Sequence, residues 1–272
     1  MAAAAVLVRV PATLISTTAI PLKPPYTKPI RISLNPSFRN ITKRPLMASL
    51  RGQTQQRKLP ILLFDIMDTI VRDPFYQDVP AFFGMPMKEL IEQKHPTAWI
   101  EFEKGLIDEI ELARNFFKDG RSFDLEGLKN CMKRGYCYIE GVEELLSDLK
   151  QNNYEMHAFT NYPIWYRIIE DKLKISTYLS WTFCSCAIGK RKPDPDFYLE
   201  VVRHLKVDPR DCVFIDDRLK NVEAAIKVGI VGLQFKGADF LRHDLSQMGI
   251  NFSTNEFHTS QNQSQITKEQ GA

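Results

Sequence analysis

The first 64 residues contain no aspartate or glutamate. The same stretch carries ten basic residues (Arg9, Lys23, Lys28, Arg31, Arg39, Lys43, Arg44, Arg51, Arg57 and Lys58), leaving 26 of the 36 Lys and Arg to face all 33 acids. The remainder of the chain therefore has a net charge of −7, and the overall +3 conceals two parts of opposite sign. An acid-free front that opens Met-Ala-Ala-Ala-Ala and is rich in Ser, Thr, Pro and Arg is expected to be a transit peptide or disordered basic arm over 1–58, set aside from fold reasoning. Its Ala start and Ser/Thr/Pro content favour a chloroplast, with the plastid import machinery as partner of the arm. Arg9 and Pro11 interrupt the apolar core that a secretory signal needs. A basic arm that binds nucleic acid is the competing reading, but the acidic body offers such a ligand no electrostatic attraction.

Long hydrophobic runs are also missing. Nothing approaches the ~18 consecutive apolar residues of a membrane span. Cysteines are few and odd in number (Cys131, Cys137, Cys184, Cys186 and Cys212), without metal-ligand spacing, and read as buried thiols. Cys184 and Cys186 stand two apart in a strand-like run and are expected to face the same side.

What is present is an alternation of strand-like and helix-like segments from Leu59 onward. Ile61–Phe64 is a short apolar run of the kind a buried parallel strand shows. Helical periodicity follows at Met87–Lys94, Ala98–Lys104, Ile107–Lys118 and Leu125–Arg134, with no convincing strand among them. Gly141–Asn152 is an amphipathic helix through Val142, Leu145, Leu146 and Leu149. His157–Thr160 reads as a strand, Pro163–Leu173 as a helix with Pro in its first turn, and Trp181–Cys184 as a strand. Asp196–Leu205 is helical, Cys212–Ile215 is a strand ending in Asp216-Asp217, Asn221–Val228 is a helix stopped by Gly229, and Ile230–Gln234 is the last strand. This order predicts an α/β fold, a doubly wound parallel sheet with an inserted helical cap. The core is expected over 59–74 and 137–250, the cap over 75–136 and a disordered tail over 251–272.

The polar residues fall where such a sheet binds ligands. Asp65, Thr160 and Asp216-Asp217 each end an apolar strand, and Lys192 lies in the loop after another. Carboxylates gathered at one crevice repel unless a cation sits among them, and hard oxygen donors without His or Cys point to Mg²⁺. A divalent cation beside a lysine and a hydroxyl suits a phosphate. A carboxylate can also attack phosphorus to form an aspartyl-phosphate. Asp65, followed by a tight turn at Asp68-Thr69, is the candidate nucleophile.

Four segments resemble the motifs of the haloacid dehalogenase superfamily in order. They are Phe64-Asp65-Ile66-Met67-Asp68-Thr69, Phe159-Thr160-Asn161, Lys192-Pro193-Asp194-Pro195, and Phe214-Ile215-Asp216-Asp217-Arg218 with Asn221. The resemblance covers roughly 60–235 and implies a Rossmann-like core. It implies that Asp65 attacks phosphorus and binds Mg²⁺, that Thr160 donates to a phosphoryl oxygen, and that Lys192 neutralises the phosphoryl group and orients Asp65. It further implies that Asp217, helped by Asp216, holds the metal, supported by Asn221. Thr69 and Asn161 are expected beside the substrate, although Asn161 could equally cap the following helix. Phosphatases of the family usually place a second Asp two residues after the nucleophile as general acid. Here that position is Met67, whose carbonyl can ligate Mg²⁺ but whose side chain carries no proton; Asp68 is the nearest replacement, or else a turn residue. Leu62–Val71 and Asn161–Tyr166 further resemble the plant chloroplast FMN hydrolases of this superfamily, implying hydrolysis of FMN to riboflavin and phosphate, with Tyr162 and Tyr76 as contacts for the flavin. The alternatives are a 2-haloacid dehalogenase and a catalytically weak relative that binds a partner.

Overall fold

The computed structural model describes Lys58 and residues 60–252. Apart from Lys58, Asn251 and Phe252, the arm expected over 1–58 and the tail expected over 251–272 lie outside the described residues.

Strand β1 (Ile61–Phe64) consists of four apolar residues, each fully buried, because a central strand of a parallel sheet is covered on both faces. The chain then makes helices α1 (Asp78–Phe83), α2 (Met87–Gln93), α3 (Ala98–Glu103), α4 (Glu109–Asn115) and α5 (Leu125–Gly135) before returning as α6 (Val142–Gln151) and β2 (Met156–Thr160). Helix α7 (Tyr166–Leu173), β3 (Ser180–Cys184), α8 (Ser185–Ile188), α9 (Pro195–Leu205), β4 (Cys212–Asp216), α10 (Leu219–Lys227), β5 (Val231–Gln234) and α11 (Ala238–Gln247) follow. The strands lie in the order β3-β2-β1-β4-β5, all parallel.

Successive side chains of a strand point to opposite faces. Leu62 and Phe64 accordingly pack with α6, α7 and α11, whereas Ile61 and Leu63 pack with α9 and α10, giving the doubly wound arrangement. The helical insertion leaves and re-enters the sheet through one stem. Arg72 N–H donates to Cys137 O at 3.0 Å, and Ile139 N–H donates to Ile70 O at 2.9 Å. Within the insertion, Phe83 packs on Phe116, Phe117 and Phe123. Helix α4 is started by a reciprocal capping box between Asp108 and Glu111.

Four details differ from expectation. The helix expected from Pro163 begins at Tyr166, because Tyr166, Arg167 and Ile168 donate to carbonyls three residues back, a tight entry that keeps Pro163 outside it. Cys184 and Cys186 do not share a strand face. The strand ends at Cys184, and Ser185 turns the chain into α8 by donating to the carbonyls of Glu103 and Tyr162. Helix α1 is disguised by Pro80, which sits in the first turn, where no N–H is needed. Helix α11 buries Ala238, Leu241 and Leu245 at helical spacing, a pattern diluted by charged neighbours.

Candidate active site

β1 and β4 are neighbours at the point where strand order reverses, with β2 and β3 extending to one side and β5 to the other. Loops leaving such a pair diverge and open a crevice at the strands' C-terminal ends. Asp65 directly follows β1, and its N–H is fixed to Ile215 O at 2.9 Å. Thr160 ends β2, and Asp216 ends β4 with Asp217 next in the chain.

Lys192 enters from the loop between α8 and α9 and is 1% exposed. Its Nζ stands 2.8 Å from Asp65 Oδ1 and 2.7 Å from Asp216 Oδ2, and donates to Phe159 O at 2.6 Å. Burial lowers the pKa of such an ammonium, but the carboxylates of Asp65 and Asp216 outweigh it and move the group upward, so Lys192 stays cationic. Asn161 explains how the loop is held. Its Nδ2 donates to Lys192 O at 2.8 Å, and its Oδ1 accepts Lys192 N–H at 2.7 Å. Asn161 therefore positions the lysine loop and does not cap the following helix, which corrects the cap reading; the second hydrogen of its Nδ2 is not used by these two bonds.

The three acids differ in what they have left to offer. Both oxygens of fully buried Asp216 accept protein hydrogen bonds, Oδ1 from Arg218 N–H and Asn221 Nδ2, Oδ2 from Lys192 and Asn221 Nδ2. Asp217 Oδ1, by contrast, is buried without any hydrogen-bond partner. Burial, reinforced by Asp216, pushes the Asp217 carboxyl up to about 6. Burial likewise pushes Asp65 up to about 7, against the pull of Lys192 and with added repulsion from Asp216 and Asp217. One oxygen from each of the three lies within 4.8 Å of the others. A hard divalent cation fits this all-oxygen cluster, since it would relieve the repulsion and satisfy the orphaned Asp217 oxygen.

Among the described residues, Thr160 Oγ1 is the other buried side-chain oxygen without a partner. Leaving a hydroxyl unpaired costs roughly 1–3 kcal/mol, a cost that an anionic ligand oxygen would remove. Asp68 takes a left-handed conformation with φ +56, and its Oδ1 accepts Asp73 N–H at 2.9 Å, as a turn residue does. Thr69 is buried and accepts the N–H of Asp217 at 3.1 Å. Met67 packs into the apolar core. Tyr162 does not face the crevice as a free phenol: it is 3% exposed and its hydroxyl pairs with that of Tyr136 at 2.6 Å, which corrects its assignment as a flavin contact. Tyr76 is 52% exposed and its hydroxyl accepts from Arg218 at 3.2 Å.

Residues 61–229 match the haloacid dehalogenase-like hydrolase family model. The chain belongs to this family. The matched span contains Asp65, Thr160, Lys192, Asp217 and Asn221. Over 200 residues, 74% of this chain and 82% of the other, it is 72% identical to the chloroplast flavin mononucleotide hydrolase 1 of Arabidopsis thaliana. It is 34% identical to a sesquiterpene phosphatase of Aspergillus oryzae over 54% of this chain and 76% of that one. A haloacid dehalogenase family enzyme of Bacteroides thetaiotaomicron, solved with magnesium and inorganic phosphate, shares the fold at a TM-score of 0.55 and 18% identity, over 66% of this chain and 95% of that chain.

Sequence reasoning missed the link between the family's insertion and its lysine loop. Arg191 donates through Nε at 3.2 Å and Nη2 at 2.8 Å to Glu103 Oε2, while Trp99 Nε1 donates to Oε1 at 2.8 Å. Burial raises the Glu103 pKa and Arg191 opposes that rise. A glutamate in a short helix reads as surface; its partner lies 88 residues away, and no local pattern joins them.

Proposed function

We propose that this chain is a magnesium-dependent phosphatase that hydrolyses FMN to riboflavin and phosphate in the chloroplast stroma, through an aspartyl-phosphate on Asp65. The observation that carries the reading is one crevice holding a buried carboxylate–ammonium couple, Asp65 and Lys192 at 2.8 Å, together with two buried oxygens lacking partners, Thr160 Oγ1 and Asp217 Oδ1. A phosphoryl group and a cation are the complement of that set. The substrate and compartment are carried by the 72% identity to a chloroplast flavin mononucleotide hydrolase.

Asp65 attacks phosphorus along the open side of the crevice, and Lys192 and Thr160 stabilise the charge that gathers on the phosphoryl oxygens. Asp65 and Asp217, with the Met67 carbonyl and Asp216 in support, would hold Mg²⁺, which supplies charge neutralisation and keeps Asp65 ionised. Thr69 fixes the backbone of Asp217, and Asn161 fixes that of Lys192. Tyr76 and Phe75, edge-to-face with centroids 5.5 Å apart, and Trp99, 6.5 Å from Phe75, provide aromatic surface near the mouth on which a flavin ring can stack.

The test is phosphate release from FMN by the purified protein, with Mg²⁺ and after chelation, beside a panel of sugar phosphates and pyridoxal phosphate. FMN should be turned over fastest and only with metal, and Asp65→Asn should abolish release. Undiminished turnover by Asp65→Asn would remove the nucleophile. Metal-free halide release from a 2-haloacid, with no phosphate release, would replace this reading by the dehalogenase one.

A further inference from the structure

A cation at the start of a helix runs against the macrodipole, which favours acids there. Arg218 nevertheless stands immediately before α10, with its backbone N–H donating to Asp216 Oδ1 at 2.8 Å. Its side chain is 57% exposed, yet it is not released into solvent. Nη2 donates to the Tyr76 hydroxyl at 3.2 Å, across 142 residues of sequence, and Nε stands 4.0 Å from Asp217 Oδ2. One contact is on the insertion and the other on the candidate metal carboxylate, so the guanidinium is held between them. Partial burial works against its charge, but Tyr76, Asp217, Asp65 and Asp216 outweigh it and move the pKa upward.

A guanidinium carries several N–H donors in a rigid planar fork. Among the described residues, the side chain of Arg218 uses only the bond to Tyr76, because 4.0 Å from Asp217 is an ion-pair distance too long for a hydrogen bond. The other donors are available to a ligand. What they meet follows from the order of groups along the crevice. Asp65, Asp216 and Asp217 come first, with one oxygen of each within 4.8 Å of the others. Arg218 comes next, beside Asp217. Beyond it lie Tyr76, its ring centroid 5.5 Å from that of Phe75, and Trp99, 6.5 Å from Phe75. FMN has the same order of parts: a phosphate, a polyol chain, then a flat ring. The hydroxyls of that chain are acceptors, and a hydrogen bond from a charged donor is stronger than one between neutral groups.

We propose that Arg218 is a specificity-determining residue that donates hydrogen bonds to the ribityl hydroxyls of FMN, with the Tyr76 hydroxyl fixing the plane of its guanidinium; this rests on the phosphatase reading above. The contact is made to a part of the substrate that does not react. It is the same before and after the phosphorus–oxygen bond breaks, so it appears in the affinity for substrate and product and leaves the chemical step alone. Riboflavin keeps the polyol chain and lacks the phosphate, so its binding reads Arg218 apart from the phosphoryl site. An ester whose leaving group has no hydroxyls gains nothing from this contact.

The test uses the full chain with Mg²⁺. Arg218→Lys keeps the charge beside Asp217 and loses the fork. It should raise KM for FMN about tenfold, a loss not matched on p-nitrophenyl phosphate, while kcat on FMN moves little. Tyr76→Phe keeps the ring and should show a smaller loss of the same kind. In fluorescence titrations riboflavin should bind Arg218→Lys about tenfold more weakly than wild type. Lumiflavin, which carries a methyl group in place of the ribityl chain, should bind both proteins alike. Equal losses on the two esters would put Arg218 at the phosphate, and equal weakening of the two flavins would put it at the ring; either result overturns the assignment. So does a variant that changes neither readout, or wild-type protein that binds riboflavin no more tightly than lumiflavin. In all these cases wild-type turnover of FMN leaves the phosphatase reading standing, whereas wild-type protein releasing no phosphate from FMN would overturn both.

Discussion

Thr69 Oγ1 accepts the backbone N–H of Asp217 at 3.1 Å, a hydrogen bond that joins the turn after β1 to the loop after β4 across 148 residues of sequence. Gln234 Nε2 holds the next peptide unit, donating to Asp217 O at 3.0 Å. The candidate metal carboxylate is thus aimed by its backbone, leaving Oδ1 free of protein donors.

Thr69→Val keeps the shape of the side chain and removes the acceptor. An N–H left unpaired in this buried turn should cost about 1–3 kcal/mol, whereas Thr69→Ser should cost much less. Urea denaturation checks the stability, and the Mg²⁺ concentration for half-maximal activity should rise in the valine variant only.

Mg²⁺ should raise the melting temperature of the wild-type protein, because an ion bound only by the folded state stabilises it by about 2.7 kcal/mol at a hundredfold excess over Kd. Asp217→Ala should melt normally without metal and show little or no Mg²⁺-dependent rise. A full rise in that variant, followed by scanning calorimetry, would place the ion elsewhere.

Arg191→Ala should destabilise the fold by about 3 kcal/mol, since it strands the buried Glu103 carboxylate. Adding Glu103→Gln to it should recover part of the loss, because the amide needs no cation. A double variant less stable than Arg191→Ala in guanidinium titrations would contradict this account of the pair.

Asp73 gives a pH-dependent stability with a definite sign. Its carboxyl is raised from 3.8 to about 6 on folding. Between those values the folded protein keeps a proton that the unfolded chain has lost, so this contribution is fully present below pH 4 and falls away as pH rises to about 6. The total is of order 2–3 kcal/mol. Relative to wild type, Asp73→Asn should gain stability across that window and hold the gain above pH 7. Denaturation curves at pH 4, 5, 6 and 7.5 measure the difference, and one that stays constant with pH would refute the raised carboxyl.

Much of the scaffold is legible in the chain itself. β1, β2 and β4 are runs whose every residue is buried, and such runs announce themselves without knowledge of their neighbours. The gathering of Asp65, Asp216 and Asp217 was legible too, since parallel strands present their C-terminal ends on one edge of the sheet. The partners of Asn161 and Tyr162 were not. Each has a short-range reading, as cap or as contact, and each meets a partner the local pattern does not reveal: the Lys192 backbone and the Tyr136 hydroxyl.

Sequence alone determined which elements form, in what order, and which side chains carry charge to the sheet's edge, because burial periodicity and strand polarity are properties of a single segment. Tertiary structure alone decided which oxygens remain available. Asp216 and Asp217 are adjacent and chemically identical, yet Lys192, Asn221 and Arg218 N–H occupy both oxygens of the first, while one oxygen of the second is left without a donor. Each donor's few hydrogens go to whichever acceptor the packed fold sets in front of them, and for Asp216 two of the three donors arrive from other elements of the chain.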